Sequence, residues 1–218
     1  AIQQNITDVS GISPEISRRY QVTSKGLNTN TQVTGTTPVY PAVHNVEVDE
    51  GNFLTDQNLR GLDKIAVLGP TTRDDLFGTG ASAIGQTIRI NKIEFTVIGV
   101  TKSKGGTGFN NPDDVIYVPM TTASRFLAGN QYVTNITVQA QSAAVLTDVQ
   151  QQITDLLLQR HKISNPALAD FSTLNQADII ATASSVTGTF TILLAAIAGI
   201  SLLVGGIGIM NMMLTTVT

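Results

Sequence analysis

The feature that most constrains this sequence is a charge-free apolar stretch near its C-terminus, residues 190–214, which reads FTILLAAIAGISLLVGGIGIMNMML. Asp178 is the last ionisable side chain of the whole chain. A helix rises about 1.5 Å per residue, so this stretch would span about 37 Å. The hydrocarbon core of a bilayer is about 30 Å thick and needs about 20 apolar residues to cross. The stretch therefore predicts a transmembrane helix, and the alternative is a helix buried in a large soluble core.

Composition excludes several classes of function. The chain has 218 residues, a net charge of −3 and no cysteine. Nucleic-acid binding is not favoured, because it usually shows a basic patch or a strongly basic domain. The absence of cysteine excludes disulfides, thiolate chemistry, iron–sulfur clusters and cysteine zinc sites. No signal sequence is visible at the first residue, so we expect the chain to be a fragment of a longer membrane protein.

The first half of the chain is rich in strand patterns separated by turns. Ile2, Ile6 and Val9 fit the end of an amphipathic helix that stops at Gly11. After it, apolar and β-branched runs predict strands. These runs cover residues 18–23, 31–36, 42–48, 64–68, 86–90, 93–100 and 115–118.

Turn and helix signals divide these strands. Asn91 and Lys92 separate two alternating runs and predict a tight hairpin. Pro70 fits the first turn of a short helix, because its missing N–H is not needed there. Residues 120–130 predict a second short helix, with Gly129 just past its C-terminus.

The pattern changes period after residue 131. Residues 132–139 alternate as a strand, Ser142 is a plausible N-cap, and residues 170–174 predict a returning strand. Between them lies an amphipathic helix, and together they predict a βαβ or split-βαβ unit. Its apolar face consists of Val145 or Leu146, Val149, Ile153 and Leu156 or Leu157. From Asn175 the pattern is helical again and could run unbroken into the apolar stretch.

Few residues form a pattern that carries chemistry. His44 and His161 are the only histidines and do not have metal-ligand spacing. We expect His44 to be a strand residue and His161 to be a solvated residue at a helix end. Asp113 and Asp114 suggest a calcium loop or a turn that caps the following strand, and the missing EF-hand spacing favours the turn. The glycine-rich segment 205–208 lacks the lysine of a phosphate loop. We therefore expect no catalytic residue, cofactor or metal.

Small residues in the apolar stretch predict packing against other membrane helices. Lipid gives helices no hydrophobic reason to associate, so close approach at small side chains drives their packing. The alternative is a monomeric anchor that simply tolerates glycine. The candidate packing residues are Ala195, Gly199, Ser201, Gly205, Gly206 and Gly208.

Several segments carry a resemblance to a known family. SLLVGGIGIMNMML at residues 201–214 resembles the second membrane helix of MacB-type ABC transporter permeases, in the wider FtsX-like superfamily. Five further segments agree in the same order and are distributed over residues 64–179. They are KIAVLGPTTRDDLFG, IGQTIRINKIEFTVIGV, DDVIYVPMTTASRFLAG, LLLQRHKI and DFSTLNQADI.

The resemblance implies an α+β extracytoplasmic domain inserted between two membrane helices. A porter-like α/β subdomain would be built from residues 1–38 and 130–175. A β-rich Sabre-like subdomain would occupy residues 39–129. Residues 176–189 would form a stalk helix and residues 190–214 the transmembrane helix.

The resemblance also implies a function. Such permeases couple cytoplasmic ATP hydrolysis to export of a drug, peptide or lipid-linked substrate by transmitting motion. The implied partners are the membrane, a second permease copy, an ABC ATPase, and possibly a membrane fusion protein with a TolC-like channel. The expected location is the bacterial inner membrane, with residues 1–175 outside the cytoplasm. The alternative is an FtsX-like signalling or scaffolding module that regulates an extracytoplasmic partner without transport.

Overall fold

A computed structural model describes residues 6–106, 111–130 and 132–216. The chain divides into two compact units, Ala1–Val145 and Leu146–Thr218. The first unit contains eight strands among its described residues. These are β1 (Val9–Ser24), β2 (Leu27–Thr36), β3 (Val48–Gly51), β4 (Ile65–Leu68), β5 (Thr87–Ile90), β6 (Ile93–Thr101), β7 (Val115–Pro119) and β8 (Asn135–Ala140).

Short helices connect the strands, and the second unit is helical. The first unit has α1 (Tyr40–His44), α2 (Asp56–Gly61), α3 (Pro70–Phe77) and α4 (Met120–Thr122), which continues as a π-helical turn, Ala123–Ala128. The second unit has α5 (Leu146–His161), which follows the 3₁₀ turn Ala143–Val145, then a second 3₁₀ turn (Pro166–Leu168), and α6 (Gln176–Thr216). This mixture of strands and helices confirms the predicted α+β class. The predicted subdomain boundaries at residues 38, 129, 175 and 189 remain a prediction.

Two hairpins follow from their turn residues. Asn91 and Lys92 both have positive φ, 46° and 69°, which is the conformation of a type I′ turn between twisted strands. Lys25 and Gly26 join β1 to β2 with φ of 47° and 89°. The hairpin predicted at Asn91 is confirmed, and the strands predicted at residues 18–23 and 31–36 are parts of longer strands.

Six strands of the first unit pair in a closed ring. Going around it, β1 pairs with β2, β2 with β7, β7 with β4, β4 with β6, β6 with β5, and β5 with β1 again. The β2–β7 and β4–β6 pairs are parallel, and the others are antiparallel. Closure gives each of the six strands a partner on both sides, although the β1–β5 and β4–β7 contacts contain only two residue pairs each. Strand β3 pairs with β6, and β8 pairs with the first half of β1.

The inside of this barrel is the main hydrophobic core. Its side chains alternate along the strands, as they must when one face of each strand points inward. Phe95 is its largest fully buried side chain, at 1% exposure. The other members are Val22, Val33, Ala66, Leu68, Leu76, Ala83, Ile88, Ile90, Val97, Val100, Ile116, Val118, Ala123 and Leu127. A second cluster lies around Tyr40, Val46, Leu54, Val67, Val115 and Tyr117.

The predicted amphipathic helix that ends at Gly11 is wrong over its described residues. Val9 lies in β1 and not at the end of a helix, whereas Ile2 lies outside the described residues. Gly11 does not stop a helix, because it lies in the same strand. A Cβ at Gly11 would lie 2.8 Å from Cγ2 of Val43, so glycine lets helix α1 pack closely on β1.

The strand that the sequence predicts at residues 42–48 is also wrong. Their first part belongs to helix α1, which carries a proline in its first turn and ends at Asn45 in the left-handed conformation. Pro41 suits this position, because the helix needs no N–H there. The valines that suggest a strand instead pack against neighbouring residues: Val43 lies against Gly11, and Val46 is buried in the second core cluster.

The returning strand predicted at residues 170–174 is absent from this described segment, so the predicted βαβ unit is not formed by it. Side chains hold the segment against α5 in place of a strand ladder. Nδ1 of His161 lies 2.8 Å from Asp170, and Gln150 Nε2 donates to Thr173 Oγ1 at 3.4 Å. Polar groups of the segment therefore find partners on helix α5 and not on a neighbouring strand.

Candidate membrane helix and packing site

Helix α6 contains 41 residues, which corresponds to a length of about 61 Å. It is long and apolar enough to cross a membrane over Gln176–Met210, and none of its most apolar window is buried. Its described large apolar side chains are exposed, Leu202 by 77% for example. An uncovered helix of this composition is unstable in water, so the helix requires lipid or other helices around it. The predicted continuity from residue 176 through the apolar stretch is confirmed.

Threonine hydroxyls in the first half of α6 find partners on the helix itself. Each donates a hydrogen bond to the carbonyl four residues earlier, at 2.8–3.0 Å. A hydroxyl bonded in this way needs no water and is tolerated in a membrane helix. The four pairs are Thr182 with Asp178, Thr187 with Ala183, Thr189 with Ser185, and Thr191 with Thr187.

The six predicted packing residues all lie on α6, but helical geometry separates them into two stripes. Successive residues turn by about 100° around the axis. Ala195, Gly199 and Gly206 fall within about 40° of one another and form the first stripe. The second stripe, centred about 130° away, consists of Ser201, Gly205 and Gly208. One partner helix therefore cannot contact all six residues.

A shallow apolar groove marks the first stripe. It is lined by Gly199, Leu202, Leu203, Gly206, Ile207 and Met210. These residues are spaced by three and four, as expected for the contact face of a helix pair. Gly199 and Gly206 belong to the packing residues predicted from the small-residue motif, and the groove adds four larger residues whose spacing is also visible in the sequence. A Cβ added at either glycine meets nothing within 4 Å among the described residues.

The barrel unit also contains a buried carboxylate, Asp113, which is 6% exposed. Its oxygens accept hydrogen bonds from the Ser103 hydroxyl and from the backbone N–H groups of Lys104 and Gly105. Burial acts to raise the pKa of Asp113, but these hydrogen bonds and the nearby Lys104 charge outweigh it and lower the pKa below 3.8. The carboxylate therefore fastens the loop after β6 to the start of β7, as the predicted capping turn does.

We expect Asp113→Asn to destabilise the barrel unit by about 1–3 kcal/mol, because an amide cannot accept hydrogen bonds at both positions. The lowered pKa gives a sign for the pH dependence. The stabilisation by Asp113 is complete above the unfolded pKa and is lost as pH falls through the folded pKa. Acid unfolding below about pH 4 should therefore be less steep in the variant.

Urea unfolding between pH 2.5 and 7, followed by tyrosine fluorescence, measures both effects. Asp114→Asn is the matched control, since Asp114 makes longer contacts, 3.5 Å to Arg19 and 3.3 Å to Thr72. Equal loss of stability in the two variants would contradict the role given to Asp113.

Aromatic and polar groups meet near the start of α1. His44 stacks on Tyr40 with ring centroids 4.1 Å apart, and its Nε2 lies 2.7 Å from Oε1 of the buried Glu15. Burial raises the pKa of Tyr40 and of Tyr117, so both phenols stay neutral. Among the described residues no group of three His, Asp or Glu side chains could hold a metal ion. The prediction that His44 is a strand residue is wrong, because it ends helix α1.

Comparison with known proteins identifies the family. A family model described as the MacB-like periplasmic core domain matches residues 1–156. The chain belongs to this family. The macrolide export ATP-binding/permease protein MacB of Bdellovibrio bacteriovorus is 39% identical over 218 residues, which cover 100% of this chain and 33% of that protein. MacB of Azoarcus sp. is 38% identical over 206 residues, which cover 94% of this chain and 30% of the relative.

Two solved structures have a fold similar to that of this chain. The periplasmic region of MacB from Actinobacillus actinomycetemcomitans has a TM-score of 0.71 at 20% identity, and covers 84% of this chain and 79% of that one. The extracellular domain of the noncanonic ABC-type transporter YknZ from Gram-positive bacteria has a TM-score of 0.65 at 20% identity, with coverage of 74% and 82%. The predicted resemblance to MacB-like permeases is therefore confirmed.

This MacB-like chain spans about a third of the length of the curated relatives it matches. It covers the permease part that contains the periplasmic core domain and adds a helix able to cross a membrane.

Proposed function

We propose that this chain is the extracytoplasmic and membrane-helix portion of a permease that couples cytoplasmic ATP hydrolysis to export. The observation that carries the proposal is the continuity of α6, which runs from Gln176 to Thr216 without a break. A continuous helix resists bending and passes a displacement at one end to the other. Motion produced at the cytoplasmic side of the membrane would thus reach the extracytoplasmic domain along α6.

The proposed system contains partners outside this chain. An ABC ATPase supplies the energy, and a second permease copy packs on α6. A membrane fusion protein with a TolC-like channel would carry the substrate onward in an envelope with two membranes. The proposed location is the bacterial inner membrane, with residues 1–175 outside the cytoplasm. The substrate class is a drug, peptide or lipid-linked molecule, and the names of the relatives favour a macrolide.

The groove on α6 gives this proposal its sharpest test. We expect Gly206→Leu to weaken self-association of the helix in membranes at least tenfold, because a leucine would fill the groove beside Leu202 and Leu203. In the assembled transporter, substrate-stimulated ATPase activity and export should fall together. Self-association is measured by energy transfer between labelled chains in lipid vesicles.

Gly205→Leu is the matched control, since the neighbouring glycine lies about 100° away and outside the groove. We expect it to change self-association by less than threefold. Normal self-association and coupling in the Gly206→Leu transporter would exclude the groove as the packing site. A complete transporter that hydrolyses ATP but exports nothing, and instead activates an extracytoplasmic partner, would favour the signalling alternative.

A further inference from the structure

Strand β1 changes partner along its length. Its first part, from Val9 to Glu15, pairs with β8. Its second part, from Ile16 to Ser24, pairs with β2 as part of the barrel. Residues 13–17, which we call the β1 joint, therefore connect the β8 pair to the barrel through one continuous strand. Whether this joint bends or stays rigid decides if the two parts can move independently.

A buried charge lies at the centre of the joint. Glu15 is 7% exposed, and burying an unpaired carboxylate would be strongly unfavourable. Its Oε1 lies 2.7 Å from His44 Nε2 on α1 and accepts from the Thr137 hydroxyl on β8 at 3.1 Å. One carboxylate oxygen thus connects strand β1, helix α1 and strand β8. If any of these elements moved away, the buried carboxylate would lose a hydrogen-bond partner or become exposed to water.

Thr134, just before β8, holds the backbone on both sides of the partner change. Its N–H and its hydroxyl both donate to the Glu15 carbonyl, at 2.8 and 3.0 Å. The same hydroxyl oxygen accepts from the Ser17 N–H at 2.9 Å. A rotation of the backbone between Glu15 and Ser17 would break these bonds.

Paired hydroxyls join the same residues to β2. Ser13 Oγ lies 3.2 Å from Thr36 Oγ1, and both residues are completely buried. Ser17 Oγ lies 3.0 Å from Thr34 Oγ1, which is also buried. Buried polar groups of this kind cost free energy when they lose their partners, so they oppose local opening.

A flexible hinge has few buried contacts, whereas Ser13, Glu15 and Ile16 of the β1 joint are buried. Thr134 is exposed, but its hydrogen bonds to Glu15 and Ser17 tie the two sides of the joint together. We propose that the β1 joint is a rigid coupling, locked by Glu15 and Thr134, so that the β8 pair and the barrel move as one body. Its value in passing motion from the membrane helix rests on the proposed function above. Its rigidity is a property of this chain alone and is tested separately.

Amide hydrogen exchange of the 218-residue chain in lipid nanodiscs tests the lock. In the unmodified chain, amides of residues 13–17 that donate hydrogen bonds should exchange as slowly as those of the barrel strands. Glu15→Gln and Thr134→Val should each speed exchange at residues 13–17 at least tenfold while leaving β5 and β6 unchanged. Glu47→Gln is the matched control, because Glu47 is an exposed partner of Lys102. This variant should change the exchange rate at residues 13–17 less than twofold.

Thr134→Val decides the result if Glu15→Gln unfolds the whole unit. Fast exchange at the joint in the unmodified chain, or unchanged exchange in Thr134→Val, would overturn the proposal. A second measurement places spin labels on the double variant Gln139→Cys and Lys92→Cys, which are then the only two cysteines because the chain itself contains none. Their distance distribution should be narrow, and Thr134→Val should broaden it; a broad distribution in the unmodified chain would indicate a hinge. Loss of export with a normal lock would count against the proposed function and not against the joint.

Discussion

Ile200→Arg is expected to lower the membrane-insertion equilibrium constant of α6 about a hundredfold. Ile200 lies near the middle of the predicted span, on the side of the helix away from both small-residue stripes, and is 63% exposed. An arginine near the centre of a membrane helix costs about 2.5–3.5 kcal/mol on insertion scales. Insertion of the helix into microsomal membranes, scored by its apparent free energy, measures the change.

Ser184→Arg is the control for this experiment. Ser184 belongs to the same helix and is exposed, but it lies in the predicted stalk before the span. We expect its cost to be below about 1 kcal/mol, since an arginine near the end of a span extends toward water. Equal costs at the two positions would show that the membrane boundary predicted at residue 190 is wrong.

Phe95→Ala is expected to destabilise the barrel unit by about 3–5 kcal/mol. Phe95 is 1% exposed and fills the barrel interior, where its removal leaves a cavity that six closed strands cannot collapse around. This loss is a large part of the stability of a typical domain, so we expect partial unfolding at 37 °C. Urea unfolding followed by tyrosine fluorescence measures it, without interference because the chain contains no tryptophan.

Phe190→Ala makes the same chemical change on α6, where the ring is 59% exposed. Since Phe190 belongs to the other compact unit, the free energy of unfolding of the barrel should change by less than about 0.5 kcal/mol. A comparable loss in both variants would contradict a barrel core that is independent of the helix.

Local signals predicted much of the barrel correctly. The two-residue turn at Asn91 and Lys92 predicted the β5–β6 hairpin, because positive φ is needed at those positions. Pro70 begins α3, and Gly129, with φ of 67°, ends the π-helical turn that continues α4. In each case the deciding interaction lies within a few residues, so it is visible in a single sequence.

The wrong predictions fall where distant contacts decide. Residues 42–48 have valines that suit a strand, but packing of α1 against Gly11 and the second core cluster makes their first part helical. Residues 170–174 suggest a returning strand, yet His161 and Gln150 bind their polar groups. Local pattern could not show which partner those residues would find.

The sequence by itself determined the membrane-competent helix. A helix of 25 uncharged and mostly apolar residues is longer than the thickness of a bilayer core, and that comparison requires no tertiary contact. Helical spacing then suffices to separate the small residues of the span into two stripes. The family likeness was also visible in ordered local segments, because sequence similarity is itself a local property.

Only the tertiary structure decided that six strands close into a barrel and that β1 joins it to β8. These pairings link residues far apart in the chain, and each hydrogen-bond ladder can accept many sequences. The role of Glu15 could likewise not be predicted from the sequence alone. In sequence it is one carboxylate in a polar strand, and its role arises only when α1 and β8 bring His44 and Thr137 to it.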